Sequence, residues 1–173
     1  MPNTLQLAMG AGVASLLFAL STFFLFPEGG QAGLGQESSV LFGVVGLIFY
    51  LVYIYGFVLL GEKYKNRPIV FASYSIIALS ILIALSAGIA PEQEIESIST
   101  VVLGLLIAAS MIVIGWNVLN LKSAFGTLAV WYGCLEMLSA TGILFIFSEF
   151  SAYFIDILLF ALGSLLLFRA SKK

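Results

Sequence analysis

Every lysine and arginine of this chain lies outside its long apolar stretches, and those stretches recur in units of 17 to 22 residues. A helix rises about 1.5 Å per residue, so each unit covers most or all of a hydrocarbon core about 30 Å thick. The stretches read as 5–26, 40–60, 68–89, 98–119, 126–147 and 152–168. Only 9% of the residues are charged, whereas soluble domains carry about a quarter. The expected fold is therefore all-α: one domain, residues 1–173, with six transmembrane helices, short loops and membrane lipid as its first partner.

Punctuation supports these boundaries. "FPEGGQAGLGQES" (26–38) is a glycine-rich polar loop, and "APEQEIES" (90–97) breaks the chain with a proline. Asn66-Arg67-Pro68 puts a proline at the start of the third stretch, where a missing N–H is tolerated.

Charge gives the orientation. Lys63, Lys65, Arg67, Lys122, Arg169, Lys172 and Lys173 all fall in the second loop, the fourth loop or the tail. Glu28, Glu37, Glu92, Glu94, Glu96 and Glu149 fall in the alternate loops. Random placement would put all seven basic residues on one side roughly once in sixty trials, and the positive-inside rule predicts this split. Both termini are expected in the cytoplasm. The first stretch has no basic leader and no small-x-small cleavage site, so it is read as retained. The loops leave no room for a receptor ectodomain or a soluble catalytic domain.

The chain has no histidine, which excludes bis-histidine haem, histidine-ligated zinc or copper, a Ser-His-Asp triad and a histidine pH switch. Cys134 is alone and reads as a small apolar residue. No cofactor, no bound metal, no nucleic-acid partner and no enzymatic activity are expected. The Walker-like "GFVLLGEK" lacks the terminal Lys-Ser/Thr, and "GAGVAS" has no preceding strand.

In lipid, helices associate through close contact of small residues. Ala8 and Gly12, Gly10 and Ala14, and Ala11 and Ser15 supply such pairs in the first stretch, Gly43, Gly46 and Gly56 in the second, and Gly104 and Gly115 in the fourth. A faint repeat relates 46–75 to 104–133, with Gly46–Tyr74 and Gly104–Tyr132 equally spaced.

Glu136 lies near the middle of the fifth stretch. Tyr132, Gly133, Ser139 and Ala140 are three or four residues away and share its helical face. Leu128, Trp131, Leu135 and Leu138 form a bulky opposite side suited to lipid. A charged acid exposed to hydrocarbon is costly, so Glu136 faces either a water-filled path or, protonated, a neighbouring helix. Asp156 reads as a second intramembrane acid that is snorkelling, locally hydrogen-bonded or on the same path, and helix rise separates the two in depth by roughly 9 Å. The remaining polar candidates include Tyr50 and Tyr53 on one face of the second stretch, Ser73 and Ser80 on the third, Tyr74, Asn117 and Asn120. Hydroxyl and amide groups between apolar walls suit passage of a small polar solute, and equally suit hydrogen bonding between helices.

"NTLQLAMGAGVASLLFAL" resembles the first helix of the acetate/succinate channel (YaaH-type) family, although that family's Pro-Ala-Pro opening is absent. "GLIFYLVYIYGFVLLGEKYKNRPIVFASYS" is similar to its helix-two to helix-three hairpin, with Glu62 and Asn66 at the turn and Phe71 to Tyr74 beyond it. The resemblance implies six spans in a prokaryotic plasma membrane, a hexameric ring with one pore per protomer, and Tyr74 at the pore constriction. Urea and short-amide channels share the size, but their termini face outward. The same hairpin also resembles an uncharacterised archaeal six-span family. Together these features lead us to expect a channel or transporter for a small solute, either a short monocarboxylate or a small neutral polar molecule, assembled as a homo-oligomer. The alternative is a non-catalytic subunit or scaffold among partner membrane subunits.

Overall fold

The computed structural model describes residues 2–25, 36–89, 93–145 and 149–172. The described chain is all-α: α1 (Pro2–Leu25), α2 (Gln36–Lys63), α3 (Arg67–Ile89), α4 (Gln93–Leu119), α5 (Lys122–Phe125), α6 (Thr127–Phe145) and α7 (Glu149–Lys172). Within these helices Gly43–Lys63, Arg67–Leu85 and Val101–Leu119 are long and apolar enough to cross a membrane. The expected loop residues Glu28 and Glu92, the stretch ends Phe26, Ile146 and Phe147, and Lys173 lie outside the described residues.

The six long helices form a closed ring in chain order. Each packs against the next, and α7 returns to α1. Their directions alternate, as the glycine contacts reveal. Gly56 of α2 meets Ala8 of α1 and Leu167 of α7, while Gly12 of α1 meets Tyr53 and Ser164. In the same way Gly115 of α4 lies beside Met137 of α6, and Gly133 beside Leu119. Thus α2, α4 and α7 run towards one end of the bundle, and α1, α3 and α6 run away from it.

That end carries the basic residues. Between α2 and α3, Lys65 adopts a left-handed φ of 54°, and Asn66 N–H donates to the carbonyl of Gly61 at 2.7 Å. The Asn66 carboxamide oxygen then accepts from Ile69 N–H, capping α3. Lys63 Nζ donates to the Ala170 carbonyl at 2.7 Å, and Arg169 donates to the Phe125 carbonyl. A cation near a helix C-terminus complements the dipole, so Lys63 stabilises the end of α7. Tyr64 packs edge-on against Phe125, with ring centroids 5.2 Å apart. Glu62 is therefore the penultimate residue of α2 rather than part of the turn, and Asn66 lies in the turn just before α3.

Several local expectations change. Helices α2 and α4 begin at Gln36 and Gln93, ahead of the stretches at 40 and 98, and α7 begins at Glu149, so Glu37, Glu94, Glu96 and Glu149 lie in helices rather than loops. The fourth loop contains α5, a one-turn helix too short to show periodicity in sequence. The sixth helix extends past 152–168 at both ends. Leu128, assigned to the lipid side, is 9% exposed and packs in the core. It lies next to the buried Phe125 at the basic end, where the turn through Gly126 folds α5 against α6. Trp131 and Leu138 of that side do face outward.

Small residues set the helix spacing. A Cβ on Gly133 would lie 2.6 Å from the Gly115 carbonyl oxygen, and one on Gly115 would lie 2.8 Å from the Gly133 carbonyl oxygen. The backbones of α4 and α6 therefore touch at this crossing, which only residues without a side chain allow. The core lies towards the basic end and is solid there: Phe57, Leu60, Ile69, Ile114, Val118 and Leu166 are all buried. Outside it, Leu7, Leu17, Phe71, Trp116 and Trp131 are exposed apolar side chains, a pattern consistent with contact with lipid.

Candidate solute cavity

Above the core, in the half of the bundle away from the basic end, α2, α4, α6 and α7 part around a cavity of about 440 Å³. This is within the size range of small-molecule sites. Its polar lining consists of Tyr50, Tyr53, Tyr132, Glu136, Ser139 and Asp156. These six are all residues singled out in the sequence, and they come from three helices.

Each is positioned for a local reason. Glu136 is the tenth of the 19 residues of α6, and its neighbours one turn away, Tyr132 and Ser139, share its face. It is only 4% exposed. Tyr50 and Tyr53 are three apart on α2 and point into the same space. Asp156 comes from α7, and Ser139 Oγ donates to its Oδ1 at 3.3 Å. Sequence counting separates the two acids in depth. In the structure both open onto one cavity, with Ser139 bridging from the helix of one to the side chain of the other.

The floor is aromatic. Tyr132 and Tyr53 lie beside Glu136 in the lining, and the Tyr53 hydroxyl donates to the Leu159 carbonyl at 3.2 Å. Phe57 stacks on Tyr132 from below, with centroids 5.1 Å apart. Phe160 closes one wall against Tyr53 at 5.1 Å and Tyr50 at 6.4 Å. Beneath these groups lie packed aliphatic and aromatic side chains. Among the described residues, none of those lining the cavity is a lysine or arginine.

Two sequence candidates lie elsewhere. Tyr74 is 48% exposed on the outer face of α3, in a surface recess with Lys65 and Arg67. The constriction role implied by the family resemblance therefore does not fit its position. Asn117 donates to the Val113 carbonyl of its own helix at 2.8 Å and does not line the cavity. The proposed repeat gives its two tyrosines opposite environments, since Tyr132 is buried. Ser73 is fully buried outside the cavity, and its hydroxyl has no partner among the described residues.

Sequence reasoning missed Phe160, Met111 and Gly163. Phe160 is four residues from Asp156, so helical spacing alone could have placed it on the same face. Gly163, one turn further, leaves room for the Tyr53 hydroxyl. Met111 is one apolar residue among many on α4, and nothing in sequence distinguishes it.

The fold defines a helical bundle with helices of membrane-crossing length and, within it, a mainly apolar cavity that carries two carboxyl groups and several hydroxyls. No family model, curated protein or solved structure matches this chain.

Proposed function

We propose that the chain is a six-span integral protein of a prokaryotic plasma membrane, with both termini cytoplasmic, that admits a small polar solute from the outer side. The single observation that carries this reading is the cavity of about 440 Å³ around Glu136. Alternating helix directions and the gathering of basic residues at one end support the topology. On that orientation the cavity lies in the outer half, from which a solute would enter, and the stack of Phe57 and Tyr132 lies on its cytoplasmic side. Passage then needs the side chains beneath Tyr132 to rearrange, as in alternating access or gated conduction.

Purified full-length protein in liposomes tests this. Uptake or osmotic swelling above that of protein-free vesicles is expected for at least one small polar solute, with Glu136→Gln altering its rate or its pH dependence. Vesicles no more permeable than lipid alone, across cationic, neutral and anionic solutes, would contradict it.

A second reading, a subunit or scaffold of a larger assembly, is favoured by one feature. A groove on the outer face between α3 and α4 is floored by Ala72, Ser75, Ala78, Ala109 and Ser110, the small residues that admit another helix closely. Native mass measurement after mild solubilisation separates a homo-oligomer from a hetero-complex.

A further inference from the structure

Resting on the reading of the cavity as a solute site, we infer that its ligand is a small organic cation, an alkylammonium or quaternary ammonium, with Glu136 and Asp156 as counter-charge and the surrounding rings as a cage. Three independent features agree.

The first is charge. The cavity holds two carboxyl groups and, among the described residues, no lysine or arginine. A carboxylate solute would enter a low-dielectric space beside two acids that repel it whenever they are ionised, and like-charge juxtaposition is strongly unfavourable there. A cation supplies the charge that the protein leaves out.

The second is the rings. Tyr50, Tyr53, Tyr132 and Phe160 all line the cavity, and the Tyr50–Phe160 and Tyr53–Phe160 pairs meet edge to face, with interplanar angles of 87° and 63°. Four rings around one space give its walls an aromatic character, and aromatic-lined sites suit alkylammonium groups.

The third is burial. Glu136 lines the cavity yet is only 4% exposed, and a buried carboxylate is costly unless it is paired. An ammonium group supplies that pair.

Calorimetric titration of the full-length protein in detergent with tetramethylammonium chloride, sodium acetate and urea, against a sodium chloride blank, tests the inference. Saturable binding of tetramethylammonium is expected, without comparable binding of acetate or urea. Glu136→Gln and Asp156→Asn should each weaken it about ten-fold or more, the scale of a lost charge-assisted contact. If neither variant folds, as judged by gel filtration, the wild-type preference among the three solutes still decides. Preferential binding of acetate or urea overturns the cation assignment while leaving a solute site in place. Binding of tetramethylammonium unchanged in folded variants also overturns it. No binding of any of the three overturns it too, and if liposome flux is also absent the solute-path reading fails with it.

Discussion

The Tyr53 hydroxyl of α2 sits against Gly163 of α7, so close that a methyl group on the glycine would occupy the same space. This approach lets the hydroxyl reach the Leu159 carbonyl and holds the floor of the cavity against α7. Gly163→Ala should destabilise the protein by about 1–3 kcal/mol through overpacking. Tyr53→Phe alone should cost about 1 kcal/mol through the lost hydrogen bond. Combining the two should recover part of the alanine penalty, because the clashing oxygen is gone. Thermal unfolding of the four proteins in one detergent measures this coupling.

The α4–α6 crossing is less forgiving, because a backbone carbonyl cannot swing aside. Gly133→Ala should lower the unfolding midpoint more than Gly163→Ala does, since both helices must separate. Gly10→Ala is the control: a Cβ there meets nothing within 4 Å, and alanine is the better helix former by about 1 kcal/mol. Its midpoint should be unchanged or raised.

Ser73 presents the opposite case. Its hydroxyl is buried without a partner among the described residues, and such a group is left with the cost of desolvation. Ser73→Ala removes the oxygen with little change of shape, so stability should hold or rise by up to about 1 kcal/mol. A clear loss would mean that the hydroxyl has a partner.

Binding of a cation in the cavity should weaken as pH falls, because protonation removes the counter-charge. Among the described residues, the groups facing Glu136 are Tyr132 and Ser139 from α6, Tyr50 and Tyr53 from α2, Asp156 from α7, and the uncharged Ile107, Met111 and Gly115 from α4. Asp156 is the other acid, so Glu136→Gln should flatten the dependence without abolishing it, and the Glu136→Gln, Asp156→Asn pair should remove it. Tetramethylammonium titrations at several pH values measure this directly.

Much of the cavity was legible in sequence because helical spacing is reliable over one turn. Tyr132, Glu136 and Ser139 could be placed on one face of α6, and Tyr50 with Tyr53 on one face of α2. Spacing does not say which helix faces which. That is why Asp156 looked remote from Glu136, and why Tyr74 and Asn117 looked equivalent to residues that do line the cavity. Leu128 looked lipid-facing because a helical wheel cannot register the short α5 that folds beside it. The expectation of a monocarboxylate came from resemblance, and the two carboxyl groups of the cavity argue against that ligand.

Accessibility of Ser139 from one side of the membrane tests the central claim most directly. In a Cys134→Ser background, Ser139→Cys and Val118→Cys are exposed in intact cells to a membrane-impermeant thiol reagent. The account predicts that position 139 labels from outside, that tetramethylammonium slows the labelling, and that position 118, buried in the solid half, stays unlabelled. Labelling at 139 only from the cytoplasmic side, or at neither face in folded protein, would contradict a cavity that a solute enters from the outer half.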